Sequence, residues 1–164
     1  IISLPQLYEH NLATYEEHWA ILKTICEHAQ KTDSNVLLSL HPKMQRKEYL
    51  FLQDDYGCKI LKENLHTVLP VADLYLVGQG SSTIPWAVLS EVPLIILDSY
   101  GLEFDYYDWI QCAKVIKNIS ALNSCMVEML HNLSLRSKTK KELQELKEHY
   151  IFDGHSLDRI FKVC

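Results

Sequence analysis

No run of apolar residues in this chain is long enough to cross a bilayer, and no signal-peptide pattern opens it. Nor is there an excess of basic charge. A net charge of −5 excludes a protein built to hold duplex DNA or an anionic membrane, since either needs a basic footprint. The one basic cluster, Lys138, Lys140 and Lys141, is answered at once by Glu142, Glu145 and Glu148, the pattern of a solvated helix face. Five cysteines (Cys26, Cys58, Cys112, Cys125 and Cys164) are odd in number and never stand as C-x-x-C. They read as reduced thiols of a cytoplasmic protein, most of them small core residues. The histidines form neither H-E-x-x-H nor a Cys/His zinc spacing, and Asp54-Asp55 reads as the polar end of a helix, so no metal site is expected. G-x-x-x-x-G-K-[ST], G-x-G-x-x-G and G-x-S-x-G are all missing, which removes the P-loop, the dinucleotide fingerprint and the serine-hydrolase elbow. No repeat, low-complexity tract or linker divides the 164 residues, a length that suits one domain.

What is present is an alternation of strands and helices. Strands are expected at Ile1–Leu4, Val36–Leu40, Cys58–Leu61, Leu74–Val77, Leu94–Leu97 and Ala113–Ile116, several of them apolar on both faces. Between them the spacing predicts helices over Tyr15–Lys31, Met44–Tyr56 (ending at Gly57) and Ile84–Glu91, with a helical turn near Asn64–Val71. Thr14 and Glu17 are spaced as a capping box, as are Thr139 and Glu142. The first helix would turn Trp19, Leu22, Ile25, Cys26 and Ala29 inward and leave His18 and His28 on the surface. The chain then reads as helical over Ala121–Leu135 and Thr139–Tyr150, with a short segment near Leu157–Phe161. The pattern predicts a Rossmann-like, three-layer α/β/α fold: a mainly parallel sheet of about six strands, helices on each side, and C-terminal helices. Ligands of such sheets bind beyond the carboxyl ends of the strands, at the switch point.

Three groups of residues fall at such ends. The strand through Val77 runs into Gly78-Gln79-Gly80-Ser81-Ser82-Thr83, and a helix with Pro85 in its first turn follows. Gly80, Ser81, Ser82 and Thr83 would supply backbone N–H groups and hydroxyls to an anion such as phosphate, or serve only as a helix cap. The strand through Leu40 ends on His41-Pro42-Lys43, where His41 can donate to phosphate or act as an acid, with Lys43 and Arg46 adding charge. Asp98 closes the strand Leu94–Leu97 and leads an aromatic-acidic loop containing Tyr100, Glu103, Phe104, Asp105, Tyr106, Tyr107 and Asp108. A carboxylate there would take ribose hydroxyls and a ring would stack on a base; equally, the loop packs its aromatics inward. His10, after the first strand, is expected on the cleft side.

"LLSLHPKM", followed by "VLPVADLYLVGQGSSTIPWAVLSEVPLIILDSYG", resembles the carboxyl-terminal, donor-binding half of glycosyltransferases with two Rossmann-like domains, the GT-B architecture. Within it, the motifs are most similar to bacterial capsule and surface-polymer transferases with an HP motif and a downstream Ser/Thr motif, such as polysialyltransferases and glycerophosphate polymerases. The resemblance implies His41 on the donor's phosphates, Ser81, Ser82 and Thr83 on phosphate or the nucleotide's sugar, and no metal. It implies no cofactor either; the donor, a CMP-, CDP- or UDP-linked sugar, is a substrate. The catalytic residues are not identified, because such enzymes keep the acceptor site and usually the base in the amino-terminal half. The chain starts at Ile1 and has no room for that half, so it is expected to be a piece of a larger enzyme whose missing acceptor domain is its partner. A cytoplasmic location, with any membrane contact made through partners, goes with that expectation, as does no binding of nucleic acid.

Sugar-nucleotide 2-epimerases share the half-domain plan and form the alternative, although Pro85-Trp86-Ala87 stands where their acidic segment would begin. A non-catalytic Rossmann-like interaction module is a further alternative. A signalling receiver is disfavoured by Pro5-Gln6 and Lys62-Glu63 at its acidic positions.

Overall fold

A computed structural model describes residues 1–98, 105 and 107–149. Six strands form one sheet: β1 (Ile2–Ser3), β2 (Leu37–Ser39), β3 (Lys59–Ile60), β4 (Tyr75–Gly78), β5 (Leu94–Leu97) and β6 (Lys114–Ile116). Their order is β3-β2-β1-β4-β5-β6, and every pairing is parallel. The chain builds outward from β1 to β3, then crosses back to lay β4 against the free side of β1. Ile2 is therefore opposite both Leu38 and Leu76. This reversal is the switch point of a doubly wound Rossmann-like sheet, the architecture expected from the sequence.

The strands that look apolar throughout are those covered on both sides. In β4, Leu76 joins one core while Tyr75 and Val77 join the other; in β5, Ile95 and Leu97 alternate with Leu94 and Ile96. The first core packs α1 (Tyr15–Gln30), α3 (Phe51–Tyr56) and α6 (Leu122–His131) on one face. The second packs α5 (Ile84–Leu89) and α7 (Leu133–His149) on the other. Each fully buried Leu or Ile contributes about 1.5–3 kcal/mol, so the two faces are the main stabilising term.

The capping box at the head of α1 forms as predicted: Thr14 Oγ1 accepts from the Glu17 N–H (3.3 Å), and Glu17 Oε2 accepts from the Thr14 N–H (2.8 Å). The inward stripe is His18, Leu22, Ile25, Cys26 and Ala29, with Trp19 only partly buried. His18 is thus a core residue and not the surface residue expected; it sits four residues before Leu22 on the same face, and its ring meets Tyr49. His28 is half-buried for the same reason.

The helix expected over Met44–Tyr56 is two, α2 (Arg46–Tyr49) and α3, because i→i+3 bonds from Glu48 to Gln45 and from Gln53 to Leu50 interrupt the ladder. A short α4 (Leu65–Val68) and a 3₁₀ turn (Leu69–Val71) follow β3. The predicted break near Thr139 is misplaced. Helix α6 ends at Asn132, whose extended backbone starts α7 and whose Oδ1 accepts from the Leu135 N–H (3.0 Å). Thr139 is buried inside α7, so its capping box does not form. The solvated face is as expected, with Lys138–Glu142 and Lys141–Glu145 pairs one turn apart. Cys26 and Cys58 are buried thiols, and Cys112 and Cys125 are partly buried. Cys164 and the segment Leu157–Phe161 lie outside the described residues.

Candidate functional site

A cleft of about 610 Å³ opens over the carboxyl ends of β1, β2, β3 and β4, at the switch point. Its floor is the place where β1 and β4 part. Gly78 closes β4 against Pro5; a Cβ added at Gly78 would lie 3.2 Å from the Pro5 Cβ, so only glycine lets the two strand ends meet without a shift. Gly80 turns the chain with φ +79, a conformation other residues adopt only with strain. Ser81, Ser82 and Thr83 follow, and all three line the cleft.

The hydroxyls of this loop do not cap α5, as the capping reading would have it. Thr83 is the N-cap residue but makes no side-chain cap bond, and α5 is six residues long, too short to carry much of a dipole. The hydroxyls bond to one another and to the sheet beneath. Thr83 Oγ1 lies 2.6 Å from Tyr75 Oη and 2.9 Å from Ser81 Oγ, and Ser81 Oγ accepts from the Thr83 N–H at 3.3 Å. Tyr75 in turn donates to Ser3 Oγ at 2.6 Å, and Tyr107 donates to the Ser81 carbonyl at 2.9 Å.

Across the cleft, His41 stands at the end of β2. Its Nδ1 accepts from the Lys43 N–H at 3.1 Å, so the neutral ring carries its proton on Nε2. Partial burial, then the nearby positive charge of Lys43 and the His10 ring, hold its pKa below the ordinary histidine value, against the pull of Glu9. At neutral pH His41 is therefore an uncharged donor whose orientation the following turn sets. His10, as expected from topology, lines the same cleft, its Nε2 2.9 Å from Gln6 Oε1. The Gln6 amide nitrogen is buried and makes no hydrogen bond.

Lys43 and Asp98 are placed differently. The Lys43 side chain is exposed and does not line this cleft; its contribution is the main-chain N–H given to His41. Arg46 does line it, but the guanidinium is committed to the carbonyls of Leu61 (2.8 Å) and Ile60 (3.1 Å), clamping the end of β3. Asp98 is buried at the end of β5 and faces a neighbouring cleft of about 490 Å³ with Asp105, Tyr107, Asp108 and Lys117. Gln79 lines both clefts and is what joins them. Tyr100, Glu103, Phe104 and Tyr106 lie outside the described residues.

Gln6, Ser3, His66 and Trp86 also line the cleft without having been singled out as site residues. The His66 and Trp86 rings meet edge to face at 6.1 Å on its α4–α5 side. Ser3 and Gln6 follow directly from strand order, since the β1 end lies between the two motifs. His66 and Trp86 carry no local signal. Among the described residues no group of histidine, cysteine and carboxylate side chains is arranged to hold a metal ion.

A parallel sheet with a cleft at its switch point, walled by a glycine–serine loop and an oriented histidine, defines a doubly wound Rossmann-like domain. The same fold is found in two glycosyltransferase structures. One is the spinosyn forosaminyltransferase SpnP, with a TM-score of 0.55 and 13% identity over 88% of this chain and 39% of that one. The other is glycosyltransferase VinC in complex with dTDP, with a TM-score of 0.59 and 15% identity over 88% of this chain and 36% of that one. The chain spans less than two-fifths of the length of either. No family model and no curated protein sequence matches it.

Proposed function

We propose that this chain binds the nucleotide part of an activated sugar, as the donor-binding half of a glycosyltransferase. The observation that carries the reading is the convergence of Ser81–Thr83 and His41 on one cleft at the switch point of a glycosyltransferase-like fold. Phosphate oxygens would meet the Ser81 and Ser82 hydroxyls, with Thr83 behind them, from one wall and His41 Nε2–H from the other. Negative charge that develops on a departing nucleotide would be stabilised by donors whose heavy atoms are already in place. The dTDP bound in VinC supports a nucleoside diphosphate as the group to be held.

Turnover needs more than this chain. Both neighbours are more than twice as long. Leu12 lines the cleft, and Tyr8, Leu12 and Tyr15, which are 51%, 47% and 55% exposed, run from the segment after β1 to the start of α1 and suit burial against an acceptor domain. The HP and Ser/Thr motifs favour, within this reading, a capsule or surface-polymer transferase using a cytidine-linked donor.

Isothermal calorimetry of the chain with CMP, CDP, UDP, dTDP and GDP tests the reading. Saturable binding of a diphosphate, weakened in His41→Ala, is expected; a cytidine preference supports the surface-polymer form, and a uridine or thymidine preference removes it. Absence of binding by every nucleotide at millimolar concentration would overturn the donor-site assignment.

A further inference from the structure

Tyr75 is fully buried in the second core, at a position where the strand pattern asks only for an apolar side chain. A phenol there costs desolvation unless its hydroxyl is bonded. The hydroxyl is bonded, and to two residues that both line the cleft: Ser3 at 2.6 Å and Thr83 at 2.6 Å. Thr83 passes the chain on to Ser81 at 2.9 Å, also in the cleft wall. Ser3, Tyr75, Thr83 and Ser81 thus form one run of hydroxyls that starts at the end of β1, dips into the core and returns to the surface beyond β4.

Such a run has one proton more than it has internal bonds. With Tyr75 donating to Ser3, Thr83 must donate to Tyr75 and Ser81 to Thr83, and the spare proton belongs to Ser3. Rotating the hydroxyl hydrogens reverses the order without moving a heavy atom, and the spare proton then emerges on Ser81. Ser81 Oγ is ready for that state, because it already accepts from the Thr83 N–H. Burial raises the Tyr75 pKa, so the phenol stays neutral and keeps both the donor and the acceptor that the run requires.

We propose that Tyr75 is a positioning residue for phosphate: it makes the Ser81–Thr83 hydroxyls continuous with Ser3, so that an anion in the cleft draws the run's single free proton to its own side. The inference rests on the donor-site reading above. It concerns a residue that cannot touch the ligand and that acts only through Thr83.

The test is Tyr75→Phe, Thr83→Val and the double variant, titrated with dTDP, UDP and CDP and, in parallel, with thymidine, uridine and cytidine. Tyr75→Phe should weaken diphosphate binding about fivefold, the scale of one net hydrogen bond, and leave nucleoside binding unchanged. The double variant should bind no more weakly than Thr83→Val alone, since the phenol's effect passes through that hydroxyl. A loosened core would instead weaken nucleoside and diphosphate alike, or add to Thr83→Val, and either result overturns the inference. Equal diphosphate binding by wild type and Tyr75→Phe overturns it while leaving the donor site standing; no binding by wild type removes both. Should Tyr75→Phe not fold, Ser3→Ala removes the phenol's competing acceptor and leaves the remaining hydroxyls pointed toward Ser81, so diphosphate binding no weaker than wild type is required of it, and a selective loss overturns the inference.

Discussion

His41 and His18 show how much two histidines can differ. His41 is exposed at the mouth of the cleft, and its ring is oriented by a main-chain N–H two residues on. Its replacement by alanine should lower diphosphate affinity about tenfold while changing stability by less than about 0.5 kcal/mol, as fits a surface side chain. Titration of the variant beside its melting curve separates the two effects. His18 lies in the core, near the Tyr49 hydroxyl at 3.4 Å, and burial is the main cause that lowers its pKa. Both rings are held below the ordinary value of 6.5, so the unfolded chain takes up protons first as pH falls. Stability present above that value is therefore lost on acidification toward the lower folded values, with His18 the larger contributor because His41 is screened by solvent. The melting temperature should fall by a few degrees between about pH 7.5 and about pH 5.5, and His18→Gln should flatten that slope. A slope unchanged in the variant would assign the acid sensitivity elsewhere.

Among the elements, α1 and α7 begin on side-chain caps of different legibility. The α1 box is written in the sequence as Thr14 and Glu17, and both of its bonds form. Thr14→Ala should cost about 1 kcal/mol, read as a shifted denaturant midpoint with unchanged slope. Thr139 and Glu142 have the same spacing, yet helix runs straight through them, because Asn132 caps α7 two turns earlier and leaves Thr139 facing the core. Asn132→Ala is accordingly the destabilising change in that region, by about 1 kcal/mol; should Glu142→Ala cost as much, the cap would have been misassigned. The strands were legible for a plainer reason: Leu94–Leu97 and its neighbours are apolar on both faces, and only a doubly covered sheet buries both. What could not be read locally is pairwise. Arg46 looks like a cation for the ligand, but two β3 carbonyls claim it. Asp98 stands at a strand end like His41, but the strand order puts it one cleft over. Tyr75 reads as a strand aromatic, and its role rests on Ser3, 72 residues away.

For the whole molecule, the site is a property of strand order more than of any motif. His41 and Ser81–Thr83 approach one another only because β1 lies between β2 and β4. A nucleoside diphosphate at about 100 times its dissociation constant should add about 2.7 kcal/mol to the stability of the chain, visible as a thermal shift. Such a shift is expected without transfer of sugar to any acceptor by the chain alone. The sheet also carries a consequence for how the chain acquires its shape. One of the two central strands, β1, is two residues long and comes first, yet one of its two flanks is filled only by β4; the Ile1 amino group and its Leu74 acceptor are 73 residues apart. Everything from β1 to β3 can assemble early, but the binding surface does not exist until this distant closure is made. The cleft therefore exists only while β4 is paired with β1, and any opening of that pair dismantles it.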